Sequence, residues 1–170
     1  MNEILARCGY RCDLCLAYRP NVEANPSNQQ TLSDGWHKYF SFRIPAEEII
    51  CDGCMAQNPY LLDKACPVRP CIIERGFANC AECPDYICAK LAERLVVYEE
   101  VAARCGHAIP EEDRQRFIAP YENRKRLEDL RGWATPTMPP NSLHTNRRPA
   151  WLPAIRRSGT AVIGDRDVGP

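Results

Sequence analysis

The residues with the clearest chemical potential are the cysteines, of which the 170-residue chain has eleven. Ten of them lie between positions 8 and 88, in four groups of fixed spacing. The groups are Cys8-x3-Cys12-x2-Cys15, Cys51-x2-Cys54, Cys66-x4-Cys71 and Cys80-x2-Cys83-x4-Cys88. A tight turn brings two thiolates that are two residues apart onto one ion, and Gly53 suits the positive φ angle that such turns often need. Two such pairs supply the four sulfur ligands of a tetrahedral zinc site.

The number of cysteines predicts two zinc ions, because five candidate ligands precede residue 60 and five follow it. We assign the first site to Cys12, Cys15, Cys51 and Cys54. We assign the second site to Cys71, Cys80, Cys83 and Cys88. Cys8 and Cys66 are reserves, and either could replace a member of these sets. Each structural zinc contributes on the order of 10 kcal/mol to folding.

Iron–sulfur chemistry is the main alternative, since four cysteines also hold a [4Fe–4S] cluster. The dipeptides Cys66-Pro67 and Cys83-Pro84 are similar to the end of ferredoxin motifs, but the dense C-x2-C-x2-C core of those motifs is absent. The first three cysteines also match the cluster motif of radical S-adenosylmethionine enzymes. The chain is too short for the barrel of those enzymes and lacks its alternating strands and helices. We therefore favour zinc.

Three helices must position these cysteines. Ser33 can cap a helix over 33–42, in which Trp36, Tyr39 and Phe40 form an apolar stripe. A longer helix is predicted over 85–105, beginning at a cap on Asp85 and ending at Gly106. That helix places Cys88 in its first turn and Cys105 on its buried face, as a core thiol. A third helix, over 110–131, is broken by Pro120. The predicted fold is small and mainly α, with irregular, metal-stabilised cysteine loops packed on helices.

The rest of the composition limits the classes of function. Basic and acidic residues number 22 each, which argues against a nucleic-acid or polybasic membrane surface. Charged residues interrupt the start of the chain, and no apolar run is long enough to cross a bilayer. We expect a cytoplasmic protein, because clustered cysteines in a reducing compartment hold metal more often than disulfides.

We expect residues 1–133 to form the metal-binding domain and the proline-containing, cysteine-free residues 134–170 to be a disordered tail. His37, His107 and His144 lack metal-type spacing.

The cysteine groups resemble those of a bacterial and archaeal family, domain-of-unknown-function family 3795. The similarity extends over roughly residues 5–130, and its most specific segment is Asn79-Cys80-Ala81-Glu82-Cys83-Pro84-Asp85-Tyr86. The resemblance implies a small, cysteine-rich protein that binds zinc, and it implies no defined activity. Family members often carry a further cysteine where this chain has Asp63.

Three hypotheses for function follow. The first is a non-catalytic zinc module that presents a surface to a protein partner. The second is an iron–sulfur protein for electron transfer. The third is an enzyme that uses an open zinc position or a metal-activated thiolate, and it is the least favoured because a closed four-thiolate site has no vacant position for a substrate. The sequence leaves the oligomeric state and any substrate open.

Overall fold

The computed structural model describes residues 2–132, and these residues are mainly helical. The α-helices are α1 (Arg19–Ala24), α2 (Ser27–Phe40), α3 (Val68–Glu74), α4 (Ala89–Ala92), α5 (Tyr98–Cys105), α6 (Glu111–Asp113) and α7 (Arg124–Leu130). Single 3₁₀ turns cover Ala46–Glu48 and Cys80–Glu82, and α6 continues into a π-helical segment over Arg114–Ile118. Residues 2–132 contain no β-strand, only two isolated bridges, Leu5–Arg11 and Tyr18–Cys51. The prediction of a mainly α fold is confirmed, whereas the disordered tail predicted for 134–170 falls on residues outside those described.

An aromatic cluster forms the first part of the core, and α2 supplies its centre. Trp36, Tyr39 and Phe40 are all buried, as their spacing predicts. The Trp36 ring stacks on Phe42 with 5.2 Å between ring centroids, and the Tyr39 ring lies 5.8 Å from that of Phe117. The π-helical segment after α6 therefore packs directly on α2.

The predicted start of α2 is wrong, because the helix begins at Ser27 and Ser33 lies inside it. The Ser33 side chain is buried, and its hydroxyl donates to the carbonyl of Ile44 at 2.6 Å. A serine within a helix is tolerated when its hydroxyl finds such a partner. This bond holds the segment after Phe40 against the helix, beside the aromatic cluster.

The predicted helix over 85–105 is also wrong, since the chain forms α4 and α5 with an extended residue, Val97, between them. The cause is the buried side chain of Asn123. Its Oδ1 accepts from the Val96 N–H at 3.0 Å, and its Nδ2 donates to the carbonyls of Arg94 at 3.0 Å and Cys8 at 2.7 Å. These bonds replace the backbone bonds that a continuous helix would make.

The helix ends predicted for residues 85–131 are correct in part. Cys88 is the N-cap of α4 instead of a residue of the first turn, and Asp85 pairs with Arg75 instead of capping a helix. Gly106 ends α5 with a φ angle of 69°, as predicted. The third predicted helix is split at Pro120, also as predicted.

A second core cluster contains both apolar side chains and cysteines. Its larger apolar members are Val68, Ile72, Leu91 and Leu127, and its buried cysteines are Cys8, Cys80 and Cys83. The cysteine-bearing loops are thus part of the packed interior of the domain. Each helix within residues 2–132 is too short or too polar to cross a membrane.

Gly35 on α2 gives a test of this packing. An ideal Cβ at Gly35 would lie 2.2 Å from the Phe117 ring. Glycine-to-alanine changes inside helices ordinarily stabilise by about 0.5–1 kcal/mol, but Gly35→Ala should destabilise by about 1–3 kcal/mol because the ring must move. Urea unfolding followed by circular dichroism measures the difference. The exposed His37→Ala on the same helix is the control, and a Gly35→Ala variant that is as stable as this control would contradict the packing.

Candidate metal centres

Six cysteines surround one cavity of about 550 Å³, which we call the first cavity. They are Cys8, Cys12, Cys15, Cys51, Cys54 and Cys66. The first three come from the N-terminal loop and the others from the segment before α3. Hydrogen bonds join the two segments, since the Cys51 N–H donates to the Ala17 carbonyl and the Arg19 N–H donates to the Cys51 carbonyl, each at 2.8 Å. The four cysteines predicted for the first site and both reserves therefore lie around the same space.

Backbone N–H groups point at sulfur in this cavity. The Arg7 N–H donates to Cys54 Sγ at 3.2 Å, and the Gly53 N–H lies 3.5 Å from Cys51 Sγ. Gly53 has a φ angle of 77°, which confirms the predicted left-handed turn. A Cβ at this position would lie only 3.3 Å from Cys12 Sγ, so the glycine also allows Cys12 to approach the turn. Such N–H donors stabilise thiolates more than thiols.

The sulfurs of the first cavity are close enough to affect one another. Burial raises the pKa of Cys12 to about 12, and the neighbouring sulfurs of Cys54, Cys15 and Cys51 add to this increase. Burial also raises the pKa of Cys15, although the Tyr121 hydroxyl, 3.2 Å from its sulfur, opposes the increase. A neutral thiol is therefore the stable form of Cys12 and Cys15, and a bound cation would be needed to draw off their protons.

Four other cysteines surround a second, smaller cavity of about 220 Å³, which we call the second cavity. They are Cys71, Cys80, Cys83 and Cys88, the set predicted for the second site. Burial raises the pKa of Cys80 to about 12, and the neighbouring sulfurs of Cys88, Cys83 and Cys71 add to this increase.

Three elements hold these four sulfurs, and Cys83 closes the same 3₁₀ turn that Cys80 begins. Cys71 lies on α3, Cys80 begins a 3₁₀ turn, and Cys88 is the N-cap of α4. The turn is itself fixed, because the Asn79 side chain accepts from the Ala81 N–H at 2.9 Å. Arg131, the C-cap of α7, donates to the carbonyls of Ala81 at 2.7 Å and Cys83 at 2.8 Å.

The two reserve cysteines line the first cavity and also act on a cysteine of the second. Burial raises the pKa of Cys8 well above its usual value, and the sulfurs of Cys54, Cys66 and Cys80 raise it further. Cys66 contributes to the raised pKa of Cys80 as well. Both reserves thus pack in one cluster with members of both sets of predicted ligands.

Comparison with known proteins identifies the family to which the chain belongs. The sequence profile of the family described as "Protein of unknown function (DUF3795)" matches residues 4–93, which include all ten cysteines around the two cavities. The chain belongs to this family. No curated protein and no solved structure matches it.

The donors of this DUF3795 protein suit a thiophilic metal in kind and number. All eleven cysteines lie in the described part of the chain and are free thiols. Within residues 2–132, no group of three or more cysteine, histidine, aspartate or glutamate side chains is placed closely enough to hold a metal ion. The loops place at least four sulfurs around each cavity, and backbone N–H groups donate to some of these sulfurs.

Cationic side chains accompany the sulfurs. Arg75 donates to Cys83 Sγ at 3.2 Å and to Asp85 at 2.6 Å. Arg69 donates to the Cys54 carbonyl at 3.1 Å, and Lys64 lies over the Tyr60 ring at the edge of the first cavity. Cations placed in this way would offset the negative charge of a thiolate–metal centre.

The remaining candidates lie away from the cavities. His37 and His107 are exposed, and His144 is outside the described residues. Cys105 is half-buried and packs against the aromatic cluster from α5.

Sequence reasoning missed three residues, of which Tyr121 and Arg94 line the first cavity and Asn123 holds the backbone of one of its cysteines. Tyr121 contacts Cys15, Arg94 is buried beside Asp63, and Asn123 holds the Cys8 carbonyl. Arg94 carries no local signal, because it falls within the stretch that reads as one long helix. Asn123 and Tyr121 come from a segment more than a hundred residues after their partners, so spacing could not connect them.

Proposed function

We propose that this DUF3795 protein is a zinc-binding protein in which two ions, each held by four thiolates, stabilise the domain. The observation that carries this proposal is the division of the ten clustered cysteines into two groups, with six sulfurs around the first cavity and four around the second. Four thiolates are the usual ligands of a structural zinc ion. The cysteine-bearing loops have little regular structure, so bound ions would supply much of their folding energy.

The ligands follow the two groups. Cys12, Cys15, Cys51 and Cys54 hold one ion, with Cys8 and Cys66 as the nearby reserves. Cys71, Cys80, Cys83 and Cys88 hold the other. On binding, each thiol releases its proton, and the N–H groups of Arg7 and Gly53 and the guanidinium of Arg75 stabilise the resulting charge.

We infer a non-catalytic role in which the metal-bearing domain presents a surface to a protein partner. Closed four-thiolate centres leave no position for a substrate. Large apolar side chains are exposed instead, among them Ile73 at 46%, Ile87 at 38% and Leu130 at 57%. These three adjoin, in sequence, residues that surround or contact the second cysteine group. The free thiols fit a reducing compartment such as the cytoplasm.

One observation favours a second candidate, an iron–sulfur protein for electron transfer. The first cavity has six thiols and more space than a single zinc ion needs. Four cysteines also hold a [4Fe–4S] cluster, whose potential depends on N–H donors to sulfur such as that of Arg7.

Anaerobic purification followed by metal analysis and a visible spectrum separates the two candidates. We expect a colourless protein with two zinc ions per chain. Removal of the metal by a chelator should lower the helical circular dichroism and broaden thermal unfolding, and added zinc should restore both. A brown protein with stoichiometric iron would replace the first candidate with the second.

A further inference from the structure

The first cavity is larger and more aromatic than a metal centre requires. Its volume of about 550 Å³ lies within the range of small-molecule sites, roughly 300–1,000 Å³. Away from the cysteines, the wall is formed by aromatic rings and aliphatic side chains. They include Tyr10, Trp36, Phe42, Tyr121, Ile44 and Leu62. Such a wall suits the flat, apolar body of an organic ligand.

Arg94 gives this wall a charged group with unused donors. Its side chain is only 3% exposed, and its Nη2 pairs with Asp63 Oδ2 at 3.1 Å. Its Nε and Nη1 are buried and have no hydrogen-bond partner. Buried guanidinium N–H groups are normally satisfied, because leaving one without a partner is costly. Since Arg94 lines the first cavity, an acceptor atom on a bound molecule would satisfy these donors.

Arg94 is held in place from several directions. The Tyr10 hydroxyl donates to its carbonyl at 2.7 Å, and the Asn123 side chain donates to the same carbonyl at 3.0 Å. These bonds fix both the arginine backbone and the Tyr10 ring at the cavity wall. A site built in this way is preorganised, so binding requires little ordering of the protein.

Other basic residues contact the thiols or their backbone, whereas Arg94 does not, so its free N–H groups are available to an anion other than a thiolate. Arg7 donates its backbone N–H to Cys54 Sγ, and Arg69 donates to the Cys54 carbonyl. Arg94 contacts Asp63 instead. Basic side chains outnumber the two carboxylates of the wall. The basic residues are Arg7, Arg11, Arg43, Lys64, Arg69 and Arg94, and the carboxylates are Glu48 and Asp63.

We propose that the first cavity is a binding site for a small organic carboxylate with an aromatic or other flat apolar body. The carboxylate accepts hydrogen bonds from Arg94, and the body lies among the rings of Tyr10, Trp36 and Phe42. A carboxylate is the natural partner of a guanidinium because its two oxygens accept several N–H bonds at once. The site does not depend on which metal the cysteines hold.

Isothermal titration of the full chain, as purified with its metal, tests the proposal with two matched probes. Naphthalene-2-carboxylate carries the anionic group, and 2-naphthalenemethanol has the same body without the charge. We expect the carboxylate to bind with one molecule per chain and about tenfold or more tighter than the alcohol, which is the scale of a charge-assisted hydrogen bond. Metal content is measured on the same samples, so that loss of metal and loss of binding are distinguished.

Substitutions of residues that line the first cavity test whether the probe binds there. Arg94→Lys keeps a charge for Asp63 but removes donors, so it should weaken the carboxylate about tenfold and leave the alcohol unchanged. Asp63→Asn removes the competing carboxylate and should strengthen binding of the anion. Leu62→Trp fills the cavity and should abolish binding of both probes. The exposed Arg104→Lys and Leu130→Trp are the matched controls.

The results that would overturn the proposal are equally specific. One is that neither probe binds the unmodified protein saturably. Another is that Leu62→Trp, which changes only a half-buried residue of the wall, leaves carboxylate binding intact. Equal affinity for the two probes would show that Arg94 does not recognise an anion.

Discussion

Cys83→Ser should reduce the metal content from two ions per chain to one and unfold much of the second cysteine group. Cys83 is 5% exposed, and it shares the second cavity with Cys71, Cys80 and Cys88. Serine is a weak zinc ligand, so three thiolates would remain where the ion requires four. Structural zinc binding is worth on the order of 10 kcal/mol, which is comparable to the whole stability of a typical domain, about 5–15 kcal/mol.

Elemental analysis and thermal unfolding of the purified variant measure the two effects. Cys105→Ser is the matched control, because Cys105 is half-buried on α5 and lines neither of the two cavities. The control should retain both ions and most of its thermal stability. If the Cys83→Ser variant also kept two ions and unfolded at the temperature of the unmodified protein, Cys83 would not be a ligand.

Asn123→Leu should have the second-largest effect, a loss of roughly 3 kcal/mol or more in the free energy of unfolding. Asn123 is fully buried and makes three hydrogen bonds, to the Val96 N–H and to the carbonyls of Arg94 and Cys8. Leucine has a similar volume but cannot form these bonds. The Arg94 carbonyl keeps the Tyr10 hydroxyl, whereas the Val96 N–H and the Cys8 carbonyl would lose their partner, at about 1–3 kcal/mol each.

Urea unfolding followed by circular dichroism measures this loss, with the exposed Asn2→Leu as the control. The variant should also expose the backbone of the segment between α4 and α5, which amide hydrogen exchange at Val96 would detect. A change below about 1 kcal/mol would indicate that the bonds of Asn123 contribute little net stability.

Features that depend on neighbouring residues could be predicted from the sequence. The buried stripe of α2, the left-handed turn at Gly53, the end of α5 at Gly106 and the break at Pro120 each follow from local spacing or from a single residue type. The grouping of the cysteines follows in part. Cysteines two residues apart lie around the same cavity, but Cys66, predicted among the five later cysteines, lines the first cavity whereas Cys71 lines the second. The predicted ligand sets line two separate cavities, although their metal binding stays a prediction.

Features that depend on distant residues could not be predicted. The stretch from 85 to 105 has a helical pattern throughout, but Asn123 occupies the backbone groups at Arg94 and Val96 from the far end of the domain. Ser33 is a good cap by type, yet the Ile44 carbonyl accepts its hydroxyl inside the helix. The pairing of Arg94 with Asp63 arises only when the loop before α3 folds beside α4. Long-range hydrogen bonds of single polar side chains have no periodicity in the sequence.

Six thiols surround the first cavity, so spacing alone does not select the four that would bind an ion. Single serine substitutions at Cys8 and Cys66, compared with Cys12 and Cys51, would assign it by metal content. We expect the first two to retain the ion and the last two to lose it.

X-ray absorption of the purified protein tests the central claim most directly, because it reports the identity of the metal and the atoms bound to it. Two closed thiolate centres predict a zinc edge with four sulfur neighbours at about 2.3 Å and no nitrogen or oxygen ligand. Two zinc ions per chain on the same sample would complete the agreement. An iron edge, or a zinc shell in which oxygen or nitrogen replaces sulfur, would contradict the account.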